Sequence, residues 1–173
     1  MSHQLAILAF IALLSGCATS LESVYVPADS LGWKLGSSSD RRGQTIAEYV
    51  PSNESINNWS KLLTIQFLEG ERRNPTAVME DLKALMKARC PNSYWGVIAQ
   101  NSTSTLYEWK ITNCSANPDQ HEIARLLRGN DGEHRIAYTE KTNAMNPATR
   151  EKWIASFKEA YVLKGGKKVV LAP

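Results

Sequence analysis

Two histidines, His121 and His134, are the side chains in the body of this 173-residue chain best suited to moving a proton near neutral pH. Each has a glutamate neighbour, Glu122 after the first and Glu133 before the second, so a two-histidine, one-carboxylate metal site is the chemistry this composition would allow. None of the spacings that build such centres accompanies them, and HExxH, GxSxG, Walker and Rossmann patterns are absent from the sequence. Exposed strand histidines beside a turn are the plainer expectation. The hydroxyls of Ser37-Ser38-Ser39-Asp40 and Ser102-Thr103-Ser104 have no neighbouring base and read as loop chemistry. No catalytic residue, metal or cofactor is therefore assigned. The segment from Glu48 to Trp59 is richer, with two carboxylates, three asparagines and two aromatics between two strand-like stretches. It is the candidate recognition loop, and Glu48, Glu54, Asn57 and Trp59 are its candidate binding residues.

The N-terminus carries a different chemistry. Leu5 to Leu14 is an unbroken apolar run of ten residues. That is half of the ~20 needed to span a bilayer, but it is the length of a secretory targeting segment. It leads into Leu14-Ser15-Gly16-Cys17, which resembles the lipobox of bacterial lipoproteins. The resemblance implies removal of residues 1–16 as a signal peptide, diacylation of the Cys17 thiol, and a tether over residues 17–30. Ala18 in place of Asp implies sorting to the outer membrane, with the protein facing the periplasm. Acyl chains contribute about 0.8 kcal/mol per buried CH₂, so two or more hold a protein on a bilayer without a spanning helix. Once lipid takes Cys17, Cys90 and Cys114 remain as an even pair in an oxidising compartment. A disulfide between them is expected, with Cα atoms about 5–6 Å apart.

Every charged residue lies after Cys17, with 20 Lys and Arg against 17 Asp and Glu for a net charge of +3. The signs are interspersed. Only Arg41-Arg42, Arg72-Arg73 and Lys164/Lys167/Lys168 form basic groups, too sparse for a nucleic-acid footprint. The expected partners are the lipid bilayer, through Cys17, and an envelope protein or cell-wall ligand.

These residues have to be positioned by a single domain, expected over residues 31–164 with a solvated tail over 165–173. Gln44 to Pro51 and Ser60 to Leu68 have strand composition, Leu63, Ile65 and Phe67 sharing one face. Asn74-Pro75 marks a helix start, and Val78, Leu82, Leu85 and Met86 recur at helical spacing until Cys90-Pro91. Tyr94 to Gln100 and Thr105 to Asn113 form a predicted hairpin. A second, His121 to Arg128 and His134 to Lys141, flanks Gly129-Asn130-Asp131-Gly132, residues suited to the positive φ angles of tight turns. Asn146-Pro147 repeats the helix-start device, and the stripe Trp153, Phe157, Ala160 and Tyr161 runs to Gly165-Gly166.

The order ββ-α-ββββ-α predicts an α+β fold in which an antiparallel sheet buries the apolar stripe of each helix. This pattern of elements is similar to the Mog1/PsbP-like fold, whose members are mostly accessory or binding subunits. A non-catalytic envelope module is the functional expectation. A periplasmic hydrolase whose Glu48, Glu54 or His121 converge only in the fold, and a toxin-immunity lipoprotein, are the alternatives.

Overall fold

The computed structural model describes residues 22–27, 32–115 and 117–171, so Cys17 and the lipobox-like stretch lie outside the described residues. Among these, the elements run β1 (Glu22–Tyr25), β2 (Trp33–Arg41), β3 (Gln44–Pro51), β4 (Lys61–Glu69), α1 (Pro75–Arg89), β5 (Tyr94–Asn101), β6 (Ser104–Ile111), β7 (Gln120–Arg128), β8 (Gly132–Glu140), α2 (Pro147–Glu159), β9 (Tyr161–Lys164) and β10 (Lys167–Lys168). The chain is α+β, with strands added at both ends of the expected order.

Strands β2 to β8 form one antiparallel sheet in the order β2-β3-β4-β8-β7-β6-β5. Two meanders meet where β4 pairs with β8, with Leu63 opposite Tyr138 and Ile65 opposite Ile136. A smaller antiparallel sheet, β1-β9-β10, is separate from it. Both helices start as the local residues dictate. Asn74 and Asn146 each accept the backbone N–H two residues on, at 2.9 Å, with Pro at the first helical position.

Alternation along β6 shows how the core divides. Tyr107, Trp109 and Ile111 face α1, which buries Val78 and Met79 against them, whereas Leu106 faces α2 with Trp153 and Phe157. On the α2 side Trp153 stacks on Tyr138 at 4.2 Å, and Trp33 stands edge-on to both rings. Because both faces of β6 are covered, its Ser104, Thr105 and Glu108 are buried and need internal partners. Glu108 receives Arg150 of α2 on both oxygens, and Thr105 shares a hydroxyl hydrogen bond with Thr76 of α1.

Several expectations are corrected. Glu22–Tyr25, within the stretch read as a tether, pairs with β9, and Lys167–Lys168 of the expected tail pairs there too. The polar stretch Ser37-Ser38-Ser39-Asp40 belongs to edge strand β2 rather than a loop, because its hydroxyls can face water there. Leu85 lies on the solvent face of α1, 67% exposed. Helix α2 ends at Glu159, and Gly165-Gly166 instead form the β9–β10 turn with φ of +57° and +74°. The β7–β8 turn takes no positive φ; a second tight left-handed turn is instead Arg42-Gly43, between β2 and β3. Both edge strands of the large sheet are bulged, β2 between Leu35 and Ser37 and β5 between Val97 and Ala99.

The Cys90–Cys114 disulfide forms, with Cα atoms 5.6 Å apart, joining the end of α1 to the segment that follows β6. It closes a span of 24 residues. By the chain-entropy argument a loop of that size stabilises the fold by about 3 kcal/mol. The double variant Cys90→Ser/Cys114→Ser should lose about that much in urea titrations, and reductant should bring the native protein to the same midpoint while leaving the variant unchanged.

Candidate functional site

The small sheet lies on the α2 side of the large sheet, and Glu22 at the start of β1 fixes it there. Its side chain has 0% exposure. One carboxylate oxygen accepts the backbone N–H of Asn130 at 2.7 Å, and the other accepts that of Asp131 at 3.1 Å and lies 3.3 Å from His134 Nε2. Burial lowers the pKa of His134, against the pull of Glu22 and Asp131, so at neutral pH a neutral ring donates Nε2–H to the carboxylate. Lys164, opposite Glu22 in the β1–β9 register, pairs with Asp131 at 2.7 Å. Gly129 makes room for the arrangement, since a Cβ there would stand 2.0 Å from a Glu22 oxygen. Gly132 serves the same turn by close approach, a Cβ there meeting the Leu68 carbonyl at 2.1 Å.

The small sheet covers only part of the large one. Beyond β1 a cleft of about 450 Å³ is left open over β3 and β4. Its floor is Ala47, Ile65 and Phe67, its wall is Glu22, Ser23 and Val24, and Asp40, Glu69 and Asp131 stand around it. The Phe67 ring lies 4.7 Å from the His134 ring. Most of the exposed lining is apolar, in the size range of small-ligand sites.

Both histidines are buried, His121 at 1% and His134 at 2% exposure, which corrects the expectation of exposed strand positions. His121 Nδ1 accepts the Met145 N–H at 2.9 Å, which leaves the proton on Nε2, 3.3 Å from Glu108. Burial lowers its pKa as well. His134 pairs with Leu127, six residues along β7 from His121. That is about 20 Å of strand, too far for one metal ion to bridge. Glu122 is likewise committed, accepting from Trp109, Arg135 and Thr139 on the α1 side.

The residues chosen from the Glu48 to Trp59 segment lie away from the cleft. Glu48 belongs to β3 opposite Thr64 and, by alternation with Ala47, points to the other face. Glu54 holds the Ser60 N–H and hydroxyl, each at 2.6 Å, which lowers its pKa. Asn57 is exposed, and Trp59 is half-buried with Lys141 Nζ 4.3 Å from its ring centre. This loop closes the opposite ends of β3 and β4 from the cleft. Glu22 carried no local signal as a functional residue, because its partners lie 108 to 112 residues away.

Glu133 is the one carboxyl among the described residues with both oxygens buried and without a hydrogen-bond partner. Burial pushes its pKa up to about 8, Arg128 drawing it down and Glu71 adding to the rise. Below about pH 4.5 it is protonated whether the chain is folded or not, so it costs nothing there. Between there and about pH 8 only the unfolded chain ionises, and stability falls by up to about 1.4 kcal/mol per pH unit. Glu133→Gln should match the native protein at pH 4.5 and exceed its stability by about 2–5 kcal/mol at pH 8; equal pH slopes in urea titration would reject this. Gly129→Ala should displace the Glu22 carboxylate and release β1, seen as loss of amide-exchange protection in β1 and β9 while β6 and β7 keep theirs.

A protein-family model without a functional description matches residues 31–164, which takes in β2 to β9 and both helices, whereas Cys17, β1 and β10 fall outside the match. No curated protein and no solved structure matches the chain. The match covers well over half of the 173 residues, and the chain belongs to this uncharacterised family.

Proposed function

We propose that this protein is a bacterial envelope lipoprotein, held in the outer membrane by acyl chains on Cys17 and facing the periplasm, and that it binds a ligand in the cleft beside β1 without catalysing a reaction. The observation that carries the binding reading is the cleft: about 450 Å³ with an apolar floor on rigid strands, where recognition costs little reorganisation. The lipobox-like Leu14-Ser15-Gly16-Cys17 supports the anchor, and the Cys90–Cys114 bridge supports an oxidising compartment. An antiparallel sheet with a helix on each face supports a Mog1/PsbP-like arrangement within the α+β class.

Glu22 and His134 are the pair a hydrolase would use, and they line the cleft. Both side chains are sealed, at 0% and 2% exposure, and the carboxylate is spent on two backbone N–H groups and the ring. Binding is the better use of such a site. Glu22 also lies five residues after Cys17, so an extended chain keeps β1 within about 17 Å of the acylated sulfur. The ligand is met close to the membrane.

Photocrosslinking from the cleft in intact cells tests this. Ala47→Trp fills the cleft and should reduce partner capture about tenfold, the effect of about 1.4 kcal/mol, while Asn57→Ala leaves it unchanged. Cys17→Ala should abolish incorporation of labelled palmitate. Undiminished capture by Ala47→Trp sinks the cleft as the site, and continued labelling of the Cys17 variant sinks the anchor.

A further inference from the structure

We infer that the cleft accepts an extended peptide segment of alternating apolar and basic residues, which adds as a strand to the free edge of β1; this rests on the reading of the cleft as the binding site. The wall of the cleft is formed by Glu22, Ser23 and Val24, three consecutive residues. Consecutive side chains of a strand point to opposite faces, so a cavity lined by all three meets the strand along its edge. The other edge of β1 is taken by β9, and among the described residues no backbone hydrogen bond is made on the cleft side.

The position next to β1 is uncovered, and the floor of the cleft there is Ala47, Ile65 and Phe67 of the large sheet. The three-stranded sheet runs β1-β9-β10 across the α2 face, with β10 toward β6 and β7 and β1 toward β3 and β4. A further strand, about 4.8 Å beyond β1, would lie over Ala47, Ile65 and Phe67. Its inward side chains would be apolar, every second residue, and its backbone would satisfy the unpaired groups of β1. The large sheet, in contrast, carries a bulge in each of its edge strands, a feature that blunts pairing with other chains. The four-residue pairing of β1 with β9 runs without a register shift.

Charge selects the remaining positions. Asp40 and Glu69 at the cleft form no ion pair among the described residues, whereas Glu22 is sealed against the β7–β8 turn and Asp131 is paired with Lys164. The opposite edge of the same sheet opens on a groove whose charged lining is four basic residues, Arg125, Arg128, Lys158 and Lys168, against one acid, Glu159. A basic segment is therefore drawn to the β1 edge and repelled from the β10 edge.

The test uses the full chain in detergent micelles and three end-blocked peptides of about eight residues: alternating Lys and Val, alternating Glu and Val, and the Lys/Val sequence with every second backbone nitrogen methylated. Calorimetry should detect the Lys/Val peptide alone, and amide exchange should show β1 protected on binding. The double variant Asp40→Lys/Glu69→Lys should bind it at least about tenfold more weakly, a loss of about 1.4 kcal/mol, and should gain affinity for Glu/Val. Equal binding of the methylated peptide, or of dodecylamine in its place, overturns strand addition. Equal binding of Glu/Val overturns the charge preference. A dimer in sedimentation with β1 protected before any peptide is added assigns the edge to a second copy and overturns the peptide. If Ala47→Trp abolishes cellular capture and Lys/Val does not bind, this inference falls while the cleft stands as the binding site.

Discussion

Burying a carboxylate costs several kcal/mol unless donors replace its water, and Glu22 is buried completely. The backbone of the β7–β8 turn supplies two donors and His134 stands ready with a third. From that requirement follow the position of β1, the need for glycine at 129 and the half-covered face that leaves the cleft. Lys164 adds to it through Asp131, so the same turn is gripped by both strands of the β1–β9 pair. Charge-assisted hydrogen bonds of this kind carry direction as well as energy. They specify where the small sheet sits, which apolar contact alone would leave free to slide.

The same logic recurs inside the large sheet. Strands β6, β7 and β8 are covered on both faces, yet carry Glu108, Glu122 and Glu133. Burial works against ionised Glu108, but Arg150 and His121 outweigh it and hold its pKa low. Glu122 meets three donors. Only Glu133 goes without, and its raised pKa is the result. Satisfied acids lock the register of neighbouring strands, since a one-residue slip would carry each to the wrong face.

What could be read from the sequence was what is decided locally. Asn74-Pro75 and Asn146-Pro147 start helices because cap and first turn lie within four residues of each other. The strand patterns of β4 and β6 and the spacing of Cys90 and Cys114 also carried through. Leu85 misled because helical spacing gives a stripe but not the width of the partner surface, and α1 meets the sheet through Val78 and Met79 near its start. The histidines misled because their burial depends on partners outside their own hairpin, Glu22, 112 residues away, for His134 and the Met145 backbone, 24 residues on, for His121. The cleft was invisible for the same reason: four residues of β1 and the polar Ser37-Ser38-Ser39 of β2 have no strand signature of their own. Tertiary pairing overrides weak propensity there.

The β1–β9 pairing joins residue 22 to residue 164, close to the two ends of the described chain. During synthesis the first of these strands is made more than a hundred residues before its partner, and contacts of such long separation form late. Until β9 arrives, the donors of Glu22 at residues 130–134 are in place but the strand it begins has no pairing partner. Closure of this latch therefore reports that β9 has been made and has paired. A chain cut short anywhere before β9 keeps its N-terminal strand loose and open to proteases, however well the rest has condensed, so quality control can discard the unfinished copies.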